Sequence, residues 1–281
     1  ITWPIPDGRP LVSLIIPTRD GFKILKKCID SILERTSYDN YEIIILDNKS
    51  RCHQTLNYLN MVARDNRVSI YNWNHSFNYS AINNYAARKA KGSILGLLNN
   101  DVEVINVDWL DEMVSHTCRE DIGCVGAKLY YPNETVQHGG VILGIGGVAG
   151  HAHKYFGRGE HGYFSRLQLV QNFSAVTGAC LLVRKSIFNQ VGGLNEELAV
   201  AFNDVDLCLR VKEAGFRNLW TPYAELYHHE SISRGADNTN KKRLRAQREA
   251  DYMRKCWGSK LDSDPAYNPN LTLIHEDFSL K

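Results

Sequence analysis

Residues 11–17 read "LVSLIIP", apolar at nearly every position, which is how a strand reads when both of its faces are covered. "TRDGFKILKKCIDSILERT" follows, with apolar residues at 22, 25, 29, 32 and 33, a helical period. "YEIIILDN" (41–48) is a second buried strand, 53–66 a helix, "RVSIYNW" a third strand and 78–91 a helix ending before Gly92. "SILGLLNND" is then a fourth strand. This βαβαβαβ order predicts a mostly parallel, doubly wound α/β sheet.

The regularity breaks after residue 105. Residues 108–118 read as a helix and "IGCVGAKLYYP" as a strand. The Gly- and His-rich stretch "VQHGGVILGIGGVAGHAHKYFGRGEHGYF" reads as a long loop region. "SAVTGACLLVRKSIF" is a strand and the start of a helix, "NDVDLCLRVKEAG" a helix, and "AELYHHES" a short strand leading into a loop. The tail from 240 is a basic helix followed by an extended Pro/Asn segment. With no internal repeat and no low-complexity linker, one domain with a mixed second half is expected over residues 1–281.

Three of the first four strands stop on polar residues: Thr18-Arg19-Asp20, Asp47-Asn48 and Asn99-Asn100-Asp101. Asn and Asp favour tight turns, so the last cluster alone reads equally well as a turn. In open α/β sheets, however, ligands bind beyond the carboxyl ends of the strands. Three polar clusters converging on that edge predict a site there.

Composition narrows the possibilities. Apolar content of 43% and charged content of 23% fit an ordinary globular protein, and a net charge of +2 speaks against a nucleic-acid partner. No run of 18 apolar residues is present, so no transmembrane helix is expected. The opening "ITWPIPDGRP" has neither an initiator Met nor a signal sequence, and an excised piece of a longer protein is expected. Seven singly scattered cysteines without a CxxC pair suggest reduced thiols in a cytosolic protein. "GIGGVA" (144–149) mimics a dinucleotide fingerprint, but the sequence after it will not make the required helix.

Six segments, in order, resemble the inverting nucleotide-sugar glycosyltransferases of family 2, with the GT-A fold: "SLIIPTRD", "IIILDNKS", "NNYAARKAKGSILGLLNND", "VTGACLLVRK", "GGLNEELAVAFNDVDLCLRVKEAGF" and "TPYAELYHHESISRG". The likeness is greatest to bacterial members that build O-antigen and other surface polysaccharides. It implies a nucleotide-binding half (11–104), an acceptor and catalytic half (105–235), and a basic helix and tail (236–281).

The resemblance implies the following roles. Asp47 matches the acid that reads the nucleobase edge, with Asn48 beside it, and Thr18 and Asp20 line the same nucleotide pocket. Asn84 matches the Asn of an "NxG" element, although Ala86 stands where Gly is usual. Asn99-Asn100-Asp101 occupies the "DxD" position. There Asp101 would ligate Mn²⁺ or Mg²⁺, hard ions that prefer oxygen, and Asn99 replaces the first acid. "YHHES" supplies the imidazole, His228 ahead of His229.

In "FNDVDLCLR", Asn203 replaces the first member of an acidic pair and Asp204 keeps the second, the base that deprotonates the acceptor hydroxyl. Helix capping is the bland reading of Asn203 and Asp204, with Asp206 structural and Arg210 its i,i+4 partner. Gly178 would allow close approach under the sugars, and Arg234 would clamp the diphosphate.

The expected donor is a nucleotide-diphosphate sugar, UDP or dTDP ahead of GDP, and the acceptor a glycan or lipid-linked saccharide. His138, His151, His153 and His161 lack the carboxylate or Cys spacing of a second metal site. The loop around them is expected to shape the acceptor pocket, stacking Tyr155 and Phe156 on a sugar. "KKRLRAQREADYMRKCW" reads first as a solvated helix face and second as a peripheral membrane contact. The expected location is the cytoplasm, with the inner face of the cell membrane as its edge. The alternative function is a catalytically impaired nucleotide-sugar-binding module of a larger glycan-assembly protein. A nucleotidyltransferase would need a Gly-rich basic loop after the first strand, which "PTRDGFKIL" lacks.

Overall fold

All seven residues of the first strand are buried, and alternate side chains feed different cores. The structure is a computed structural model that describes residues 3–229 and 239–281. Strands β1 (Val12–Thr18), β2 (Tyr41–Asp47), β3 (Val68–Asn72) and β4 (Ile94–Leu98) alternate with helices α1 (Phe22–Arg35), α2 (His53–Val62) and α3 (Tyr79–Lys89). β5 (Val102–Val104), α4 (Trp109–Thr117), β6 (Ile122–Tyr130), β7 (Val136–His138), β8 (Val141–Leu143) and β9 (Ala149–His151) follow. The chain continues through β10 (Gln171–Phe173), β11 (Cys180–Arg184), α5 (Lys185–Gln190), α6 (Asn203–Glu213), β12 (Arg217–His228) and α7 (Asn240–Trp257).

The main sheet runs β10-β12-β6-β11-β4-β1-β2-β3, with β5 on β12 and β7 on β6. β4, β1, β2 and β3 are mutually parallel, as the alternating pattern predicts. β11 runs antiparallel between β4 and β6, which makes the second half mixed. Val12, Leu14 and Ile16 pack with α1 and α4 on one face, through Leu25, Ile29, Trp109 and Met113. Ile15 faces the other, where Ile82, Val205, Met253 and Trp257 bring in α3, α6 and α7.

Three expectations are corrected. The fourth strand ends at Leu98, so Asn99-Asn100-Asp101 is a turn into β5, which pairs with β12. The final strand is 12 residues long and starts at Arg217; its register against β6 shifts between Trp220 and Glu225, around Pro222, which cannot donate to a ladder. The Gly/His-rich stretch is not all loop. It holds β7 and the β8–β9 hairpin, whose turn at "GIGG" is a single 3₁₀ turn and opens no helix.

The basic helix α7 is tied beneath α6. Trp257 Nε1 donates to Asp206 Oδ1 at 3.0 Å, and the same carboxylate takes Arg210 at 2.7 Å, the expected i,i+4 pair. Buried Glu249 accepts from the backbone N–H groups of Val200 and Ala201 at 2.9 and 3.1 Å, just ahead of α6. Among the described residues no helix is long and apolar enough to cross a membrane. All seven cysteines are free thiols.

The tail closes over the hairpins. His153 is fully buried, stacks on Phe278 with centroids 4.2 Å apart, and accepts from the Tyr163 N–H at 3.1 Å. Burial, with Arg166 and Lys128 near, lowers its pKa from 6.5 to about 3. A folded-state value below the unfolded one means that the unfolded chain takes up the proton first. Stability is therefore lost as pH falls from about 6.5 and levels off only near 3. Urea melts from pH 7 to 4 are expected to show this decline, and His153→Gln, which keeps an acceptor for Tyr163, to flatten it. An unchanged slope would assign the acid sensitivity elsewhere.

Candidate active site

The turn after β4 is fastened on several sides. Asn99 N donates to Ala179 O at 3.0 Å, Asn100 Nδ2 to Thr18 Oγ1 at 2.9 Å, and His229 N to Asp101 O at 2.8 Å. β1, the chain entering β11, and β12 thus fix the three polar residues at the sheet edge. Asn100 and Asp101 are buried to within 9% and 5% exposure, so their side chains are held rather than splayed into water.

Strand alternation parts the two adjacent histidines. His228 ends β12 with Nε2 3.0 Å from Asp101 Oδ1 and 3.1 Å from Asn99 Nδ2. His229 turns the other way, onto Glu103 Oε2 at 2.9 Å, where Lys27 also binds at 2.8 Å. The metal reading of His229 is therefore corrected: its ring is committed to Glu103. Gln137 Oε1, from β7, sits 2.5 Å from His228 Nδ1. With that amide as assigned, Nδ1 carries the proton and the Nε2 lone pair faces Asp101 and Asn99. A lone pair and a carboxylate oxygen 3.0 Å apart are a donor set suited to a shared cation. One carboxylate and one imidazole at the rim of an open cleft fit a divalent ion whose other positions go to ligand oxygens. Among the described residues no cluster of three or more His, Cys, Asp or Glu surrounds such a position.

Two pockets meet at this turn. The smaller, about 250 Å³, is lined by Thr18, Arg19, Asn48 and Asn100. The larger, about 590 Å³, runs past Gln137 and His228 to Gly178, Asp204, His151 and Lys154. Phe77, Tyr79, Asn99 and Asp101 line both. Asp204 stands in the first turn of α6. Its carboxylate accepts from Gly178 N at 2.8 Å and Val205 N at 2.8 Å, leaving lone pairs for a third donor. Tyr79 Oη donates to Gly178 O at 2.9 Å, and a Cβ at Gly178 would lie 3.4 Å from both Tyr79 Oη and the Asp204 Cβ.

Capping does not explain Asp204. The residue before α6 is Phe202, in the left-handed region at φ 61°, with no side-chain cap. Asn203 turns inward, its amide 3.4 and 3.3 Å from Leu198 O and Val200 O.

Four other predicted residues bond the scaffold. Asp20, itself at φ 52°, accepts from Arg51 N and Cys52 N and so holds the start of α2. Asp47 accepts from Ser50 N at 3.1 Å, and Asn48 donates to Trp73 O and His75 O while still lining the smaller pocket. Asn84 bonds the loop before α6. Its amide bridges Leu194 N, Leu194 O and Glu196, pinning the loop before α6 to α3. Arg234 lies outside the described residues. Tyr155 is 64% exposed and stacks on Tyr131, whereas Phe156 packs against the core. Sequence reading missed Gln137, a lone amide in a Gly-rich stretch without pattern, and Glu249, hidden among the cations of α7.

A mixed sheet of mostly parallel strands, helices on both faces and a polar turn at the end of β4 where two pockets join define the GT-A arrangement. The chain belongs to glycosyl transferase family 2, whose family model matches residues 13–192. It is 54% identical over 99% of its length to the uncharacterized protein y4gI of Sinorhizobium fredii, of which that covers 31%. It is 40% identical over 98% of its length to the O-antigen biosynthesis protein RfbC of Myxococcus xanthus, covering 21% of it. The chain thus spans less than a third of either relative. Among solved structures, the mannosyltransferase PcManGT of Pyrobaculum calidifontis, in complex with GDP-Man and Mn²⁺, superposes with a TM-score of 0.65 at 17% identity. That match covers 90% of this chain and 68% of PcManGT. GalNAc-T7 with UDP, GalNAc and Mn²⁺ superposes at 0.67 and 14% identity, covering 90% and 49%.

Replacing Asn84 with Ala removes three bonds to the loop before α6. A loss of about 1–2 kcal/mol of unfolding free energy in urea is expected. No loss would show that the loop is held by other contacts.

Proposed function

We propose that this domain is a metal-dependent inverting glycosyltransferase. It moves a sugar from a nucleotide-diphosphate sugar to a hydroxyl of a glycan or lipid-linked saccharide in bacterial surface polysaccharide assembly. The observation that carries this is Asp101 at the junction of two pockets, with His228 against it and Asp204 in the larger one. Family membership and the name of the RfbC relative support the reaction class and the setting.

The nucleoside would occupy the smaller pocket against Thr18, Arg19 and Asn48, with Asp47 beneath. The diphosphate would reach the Asn99-Asp101 turn. Asp101 and His228 would hold Mn²⁺ or Mg²⁺, which would supply positive charge against the departing diphosphate. Gln137 keeps the His228 ring in the tautomer and orientation that this requires. The acceptor hydroxyl enters the larger pocket and attacks the anomeric carbon opposite the leaving group. The new glycosidic bond forms as the bond to the diphosphate oxygen breaks, which inverts the configuration. Asp204 takes the hydroxyl proton, its carboxylate aimed by the Gly178 and Val205 N–H groups.

PcManGT was solved with GDP-Man and GalNAc-T7 with UDP, so donors of both base classes fit this fold. UDP and dTDP remain the first choices here. The reaction is assigned to the cytoplasm, and the exposed cations of α7 would meet an anionic membrane surface if the acceptor is lipid-linked.

Calorimetry with UDP-, dTDP- and GDP-sugars, with and without Mn²⁺, followed by transfer assays, tests the reading. One nucleotide class is expected to bind with metal, and Asp101→Ala to abolish that binding. Asp204→Asn is expected to bind donor normally while transfer falls by about 10²–10⁴-fold. Donor binding without transfer in the wild type would favour a nucleotide-sugar-binding module. No binding of any donor would overturn both.

A further inference from the structure

The larger pocket has an aromatic rim that the reaction so far leaves unused. Tyr131, just past β6, lines the pocket, and so does Lys154, in the loop after β9. The Tyr155 ring stacks on Tyr131 with centroids 5.4 Å apart and planes 11° from parallel. Lys154 Nζ lies 5.1 Å from the centre of the same ring. Tyr155 stands one step beyond these lining residues, 64% exposed.

The ring is held there against a local strain. Tyr155 has φ 68°, in the left-handed region that a bulky side chain rarely adopts. Its backbone is fixed on both sides: Tyr155 N donates to Val136 O at 2.8 Å, and Val136 N to Phe156 O at 2.7 Å. Gly or Asn would take this conformation with less strain. Phe156 already anchors the loop by packing against the core, whereas Tyr155 is mostly in water. The fold alone therefore gives little reason for an aromatic residue at 155, and strain of this kind gathers where ligands bind.

A pyranose carries hydroxyls around its rim and C–H groups on its faces. It can lay a C–H face on an aromatic ring while its hydroxyls bond a nearby donor, and the Tyr155 ring with the Lys154 ammonium offers both. The sugar that attacks must reach Asp204 inside the pocket. A sugar on Tyr155 lies outside it, and is the next one along.

We infer that Tyr155 is a stacking platform for the second sugar of the acceptor, the one joined to the sugar whose hydroxyl Asp204 deprotonates. Tyr131 supports the ring, and Lys154 bonds the hydroxyls of the stacked sugar. The inference rests on the proposed glycosyl transfer and narrows its acceptor to a chain of two or more sugars. A stack reads a C–H face rather than a hydroxyl pattern, so several hexoses are accepted at this position.

Two measurements test this separately. In protein carrying ¹³C-labelled tyrosine, the Tyr155 ring signals are identified as those lost in Tyr155→Phe. Disaccharide methyl glycosides built from hexose, 6-deoxyhexose and N-acetylhexosamine, added without donor, should shift those signals. No shift with any of them overturns the inference, whether or not the domain transfers sugar. If the signals shift but the wild type neither binds nor hydrolyses any nucleotide sugar, the transferase reading fails and the saccharide site stands.

The second measurement compares each disaccharide glycoside with the matching monosaccharide glycoside as acceptor. The wild type should favour the disaccharide by about 3–10-fold in kcat/KM, as for one aromatic stack. That ratio should fall to about one in Tyr155→Asn, which suits the left-handed turn and removes the ring, and should persist in Tyr155→Phe. A substitution that only loosened the loop would slow both acceptors together and leave the ratio intact. A ratio near one in the wild type, or one that survives Tyr155→Asn, would sink the proposal.

Discussion

The site depends on how firmly the turn at residues 99–101 is held. A strand that ends on two amides and a carboxylate has every reason to fray, because each side chain can bond its own backbone. Here the backbone is fastened to Ala179 and His229, the Asn100 side chain to Thr18, and the Cys28 thiol donates to Asn99 O at 3.7 Å. Four separate stretches of chain converge on three residues. That convergence keeps Asp101 against His228, and the junction of the two pockets follows from it.

The second half of the chain is built around the same need. Asp204, in the first turn of α6, follows a loop that ends on a left-handed Phe202, a conformation that costs energy and persists only when its surroundings impose it. Asn84 holds that loop from α3, Glu249 holds it from α7, and Trp257 fixes α6 through Asp206. The basic C-terminal helix, which by composition looks like a solvated rod, therefore bears directly on the position of the proposed base. Its acidic residue at 249 is buried to 4% exposure, while Arg243, Arg248 and Lys255 are exposed and Lys242 and Arg245 border the larger pocket.

Much of this was legible in the sequence, for a physical reason. Parallel strands covered on both faces must be continuous apolar runs, and "LVSLIIP" and "YEIIILD" leave little choice. The polar strand tips were equally plain, and Asp101, His228 and Asp204 do line one cleft. What stayed hidden lacks a periodic signature. β7, β8 and β9 are three residues each, too short for alternation to show, and rich in glycine. β12 is interrupted at Pro222, so its first half reads as loop. Asp20 and Asn84 were singled out for chemistry but bond backbone instead, because the same short polar side chains serve both ends. Whether His228 or His229 faced the turn was settled only by the strand's register.

Asp101 and His228 are proposed to hold the cation that meets the donor diphosphate. Crystals grown with Mn²⁺ and the best-binding nucleoside diphosphate, measured at the manganese absorption edge, test it most directly. An anomalous peak is expected between Asp101 and His228, in contact with phosphate oxygens and with Gln137 still on His228 Nδ1. A nucleotide bound in the smaller pocket with manganese elsewhere, or with no manganese and the Asp101–His228 contact intact, would contradict it.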